Sequence, residues 1–64
     1  MVLEIWVHRA ADRLIAEHGA EAVDEVNRLI AAAVDRQEAD RVLLMFRVRL
    51  AVARLQAPPS GLLH

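Results

Sequence analysis

The segment from Gln37 to Gln56 reads as one helix with two apolar faces, and a chain of 64 residues has little of its own to cover both. At about 100° per residue, Ala39, Val42, Leu43, Phe46, Leu50 and Ala53 gather on one side. Leu44, Met45, Val48, Ala51, Val52 and Leu55 gather on another. Two charged ridges separate them, one formed by Asp40, Arg47 and Arg54 at spacings of seven, the other by Glu38 with Arg49. One face is served by the chain's own helices; the other calls for a partner.

The length makes that demand sharper. A single domain this small sits below the size at which one hydrophobic core is comfortably stabilising, so such chains use staples or oligomerise. Cysteine is absent, which removes disulfides and thiolate metal sites and leaves the redox compartment open. With 56% apolar and 27% charged residues and only two prolines and two glycines, the composition is that of a folded chain. Abundant alanine and leucine, with no tyrosine or threonine, favour helix over strand.

Net charge is −1, too small to point the whole molecule at nucleic acid or a membrane. The charge is divided unevenly, however. Residues 1–35 hold seven acids and three arginines, and residues 36–64 hold two acids and five arginines. An acidic front half and a basic last helix can neutralise each other, within the chain or between chains. All eight non-histidine bases are arginine, a residue suited to interface contacts, although coding bias in a GC-rich genome produces the same pattern.

The first ten residues carry Glu4, His8 and Arg9 and no apolar run follows, so no secretory signal fits. The most apolar stretch, Val42 to Leu55, has 14 residues and three arginines, against the roughly 20 apolar residues of a bilayer span. No membrane association and a cytoplasmic location are the expectation.

Three helices are expected, at about 3–18, 20–34 and 37–56. Leu3, Trp6, Val7, Ala10, Ala11, Leu14 and Ile15 keep helical spacing up to Gly19, which sits where a left-handed residue closes a helix. Glu21, Asp24 and Glu25 then favour the start of a second helix, whose stripe is Ala22, Val23, Val26, Leu29, Ile30 and Ala33. The next boundary is weaker, because Asp35-Arg36-Gln37-Glu38 has no glycine or proline. Asp35 and Glu38 resemble a capping box that restarts a helix. The competing reading is one continuous helix from Ala20 to Gln56. Ala57-Pro58-Pro59 ends the last helix, so residues 1–57 form a single helical domain and 58–64 a Pro/Gly-containing tail.

Chemistry finds few tools here. The one serine lies in the tail, and no cysteine, threonine, tyrosine or lysine is present to act as nucleophile or tuned base. No glycine-rich phosphate loop exists. No catalytic residue, cofactor site or metal site is assigned. Glu4, His8 and Asp12 share one strip of the first helix at intervals of four, a pattern commonplace on solvated helix faces. His18, in the last turn of the first helix, reads as a cap for its final carbonyls.

What remains is recognition. Candidate partner-interface residues are Trp6, Val42, Leu43, Met45, Phe46, Arg49, Leu50, Val52 and Ala53, since large apolar side chains and arginine dominate contact energies. The rival is nucleic-acid binding through Arg41, Arg47, Arg49 and Arg54. Helical spacing spreads those four around the helix, and the apolar faces between them argue for packing with snorkelling stems.

Ile5-Trp6, Ala10-Ala11, Leu14-Ile15, His18-Gly19, the alanine-rich second helix with Arg28 and the closing Leu-rich helix together resemble a group of short alphaproteobacterial helical proteins, a domain of unknown function. The resemblance covers most of residues 5–56, and its sharpest elements are the early tryptophan and the His-Gly turn. That group commonly has a Gly-Asp break before its last helix and a tryptophan near the place of Leu44 to Phe46. Here Arg36-Gln37 stands at the break, and the resemblance implies no activity. The expected molecule is an all-α three-helix bundle or helical hairpin that self-associates as a homodimer or docks on a larger protein. Its expected function is that of a non-catalytic interaction module, an adaptor, subunit or inhibitor; the alternative is a small nucleic-acid-binding regulator.

Overall fold

The computed structural model describes residues 2–57, and these are helical almost throughout, with no strand among them. Helix α1 spans Val2–His18, α2 spans Ala22–Asp35 and α3 spans Ala39–Gln56. The tail read at 58–64 lies outside the described residues. Helix α3 packs against both α2 and α1, which touch each other less. No helix of the described residues is long and apolar enough to cross a membrane.

The two turns are built differently. Gly19 takes φ +58°, the left-handed conformation that the sequence assigns to it. A Cβ there meets nothing within 4 Å, so the backbone angle alone demands glycine. Its carbonyl accepts the Ala22 N–H, and a 3-10 turn over Gly19–Glu21 leads directly into α2. The Gln56 side-chain amide also donates to that carbonyl at 2.7 Å, which ties the end of α3 to the first turn. The imidazole of His18 makes no hydrogen bond to the last carbonyls of α1 among the described residues, so its contribution at this end is limited to its position beside the helix terminus.

The second boundary breaks between α2 and α3, and the continuous helix from Ala20 to Gln56 is not formed. Nor does a capping box form: Asp35 is the last residue of α2, and Glu38 precedes α3 without a side-chain capping bond. The break is made instead by Gln37, which adopts φ 59°. Its N–H donates to the Val34 carbonyl at 2.9 Å, and the Glu38 N–H donates to the Ala33 carbonyl at 3.0 Å. Those two bonds, together with the left-handed residue, make a Schellman motif that satisfies the carbonyls left open by the end of α2. Glutamine here costs about 1 kcal/mol relative to a residue at ease in that conformation.

The core is made of small side chains. Val7 and Ala11 from α1, Ala22, Val26, Ile30 and Ala33 from α2, and Met45, Val48, Ala51 and Val52 from α3 are buried. The largest fully buried side chains are all valines: Val26, Val48 and Val52. Ala10, Leu14, Ile15, Val23, Val42 and Leu44 pack around this centre. Alanine at so many inward positions lets helix axes approach closely, at the expense of apolar area per residue.

Candidate interaction surface

Along α3 the two apolar faces point in nearly opposite directions, and the fold uses one of them. Met45, Val48, Ala51 and Val52 turn inward, with Leu44 partly covered beside them and Leu55 exposed at the end. On the other side Leu43 is 65% exposed, Leu50 53% and Phe46 41%, with Ala39 and Ala53 also exposed in the same line. Of the nine interface residues expected from sequence, Leu43, Phe46, Leu50 and Ala53 therefore form one contiguous outward strip. Val42 lies half-buried at its margin. Met45 and Val52 belong to the chain's own core and are removed from the candidate surface, because their place on the helix faces α1 and α2.

Arg49 is exposed but engaged within the chain. Its guanidinium donates to Asn27 Oδ1 on α2 at 3.1 Å and lies 4.9 Å from the centroid of the Phe46 ring. That cation–π contact holds both side chains at one edge of the strip. Val23 of α2 joins Phe46, Arg49, Leu50 and Ala53 in lining a shallow depression along this edge.

Apart from Arg41 beside Glu38, the charges of α3 make no ion pair among the described residues. Among the described residues the ion pairs are local: Arg13 with Glu17 at 3.1 Å, Arg28 with Glu25 at 2.9 Å and Arg41 with Glu38 at 3.9 Å, besides His18 and Glu17 at 4.0 Å. No arginine of α3 reaches a carboxylate of α1 or α2, so neutralisation of the basic last helix by the acidic front half does not occur within the described chain. Asp40, Arg47 and Arg54 remain exposed and without an ion pair along the flank of the apolar strip. Of the four arginines considered for nucleic acid, Arg41 is turned toward Glu38 and Arg49 toward Asn27, leaving Arg47 and Arg54 on the common ridge.

Trp6 is 47% exposed and sits elsewhere. It helps line a groove of about 630 Å³ between α1 and the other two helices, together with Leu14, Leu29, Leu44 and Met45. Arg9, Arg13, Arg36 and Arg41 line it together with Glu17 and Glu38, so both signs of charge are present. Glu4, His8 and Asp12 are all exposed on α1, and no cluster of three or more potential metal-binding side chains is found among the described residues. Against protein-family models, curated proteins and solved structures, the chain finds no match.

Proposed function

We propose that the chain is a non-catalytic protein interaction module, a small adaptor, subunit or inhibitor built as a self-associating three-helix bundle, and that the outward face of α3 is its contact surface. The observation that carries this reading is the inverted use of apolar bulk. Alanine and valine take eight of the ten buried positions, with Ile30 and Met45 the others, while Trp6, Phe46, Leu43 and Leu50 are about half exposed. Scattered exposed leucines are ordinary, but a continuous apolar line along a whole helix, flanked by charge, has the form of a recognition surface. Leu43, Phe46 and Leu50 keep roughly half of their surface exposed, so covering them contributes about half of the ~1.5–3 kcal/mol of full burial at each position.

The test is site-specific photo-crosslinking in cells, with a photoreactive amino acid at position 43 on the strip and, as a control, at position 12 on the solvated side of α1. Strong adducts to a protein at position 43, either another copy or a larger chain, with few at position 12, are the expected result. Equal and weak labelling at both positions overturns the reading.

A further inference from the structure

Resting on the interaction reading, we infer that the outward face of α3 binds the same face of a second copy in antiparallel orientation, with Asp40 of each copy paired to Arg54 of the other. Ala39, Leu43, Phe46, Leu50 and Ala53 follow at spacings of four, three, four and three, the alternation of a two-helix seam. This order is nearly palindromic. Antiparallel alignment about position 48 sets Phe46 against Leu50 of the second copy and Leu43 against its Ala53, and the symmetry repeats both layers. Large side chains meet at the middle and alanines let the ends close.

The flanking charges choose the orientation. Asp40, Arg47 and Arg54 line one side of the seam and carry no ion pair among the described residues. In the antiparallel pair Asp40 of one copy falls beside Arg54 of the other, twice by symmetry. Only Arg47 meets its own equivalent on that side, and on the other side Arg49 is held back by Asn27 and the Phe46 ring. A parallel pair places Arg49 beside Arg54 of the second copy on both sides and leaves Asp40 with no opposite residue on α3. Like charges across a helix seam suppress that alignment.

Charge exchange tests the pairing, with purified protein, sedimentation equilibrium for mass and circular dichroism for fold. The wild-type chain should move from 7.2 kDa toward twice that mass as concentration rises. Asp40→Arg and Arg54→Asp should each weaken the dimer about tenfold, since two exposed pairs turn from attraction to repulsion. Mixing the two variants should restore near wild-type affinity as a heterodimer, and Asp40→Arg combined with Arg54→Asp in one chain should do the same. A wild-type dimer indifferent to both reversals overturns the antiparallel pairing. A wild-type chain that stays at 7.2 kDa throughout overturns self-recognition, while adducts from position 43 to a different protein leave the interaction reading standing.

Discussion

The inner and outer faces of α3 are built from similar numbers of apolar residues, yet they do different work. The inner face, with Val48 and Val52 fully covered, holds three helices together. On the outer face only Val42 packs against the core, at the margin, and Leu43, Phe46 and Leu50 stay 41–65% exposed. On α2 the buried residues Ala22, Val26, Ile30 and Ala33 form one stripe, and the large apolar residues outside it, Leu29 and Val34, do not align into a second continuous face. The outer strip of α3 thus adds to the core stripe a second line of apolar residues that the described chain leaves largely exposed.

The largest expected effect separates the faces directly. Val48→Asp places an unpaired carboxylate in the core at a cost of several kcal/mol, whereas a domain of this size rarely holds more than about 3–5 kcal/mol. It should lose its helical circular dichroism at 25 °C. Leu50→Asp, two residues away on the outer face, should keep that spectrum and lose association; if both variants unfold, the outer face is structural.

A gentler pair sharpens the same contrast. Val52→Ala should lower the unfolding free energy measured in urea by about 2 kcal/mol, through lost transfer energy and a residual cavity. Leu43→Ala, at a site already 65% exposed, should change the stability of the dilute chain by less than about 0.5 kcal/mol. Equal losses would mean that the two faces are not distinct. On the flank, Arg47→Gln removes the like-charge meeting at the dimer centre and should tighten self-association by about two- to threefold, an effect that shrinks with added salt.

The two left-handed turn residues affect stability without touching either apolar face of α3. Gln37→Gly should stabilise the chain by about 0.5–1 kcal/mol, because glycine occupies the left-handed region without the Cβ penalty. Gly19→Ala, at the corresponding angle in the first turn, should destabilise it by about 1 kcal/mol. Neither substitution should alter which face of α3 turns inward, and nuclear magnetic resonance shifts of the Val48 and Val52 methyl groups report that.

These contrasts also mark how far the residues themselves could be read. The helical class and the first break were legible, since period and glycine coincide at Gly19. The second break was legible as a polar interval, but not its construction. Asp35 and Glu38 imitate a capping box, and nothing in a glutamine announces a left-handed backbone that only the closing bonds to Val34 and Ala33 stabilise. The two faces of α3 were likewise visible as a period. Which of them turns inward was not, because that depends on the packing of α1 and α2, and the candidate interface accordingly drew Met45 and Val52 from the face that became the core. Arg49 read as a contact residue; its bond to Asn27, 22 residues earlier in sequence, has no local signal.

The absence of cysteine permits a direct test of the two-faced helix. Single cysteines at positions 48 and 52 on the inner face and at 43 and 50 on the outer face can be labelled with a maleimide over a range of protein concentrations. Inner positions should be protected at every concentration, while outer positions should react at the free-thiol rate when dilute and become protected as the concentration rises. Fast labelling of positions 43 and 50 at all concentrations, or labelling of position 48 as fast as position 50, would contradict the assignment of the inner face to the fold and the outer face to a second copy.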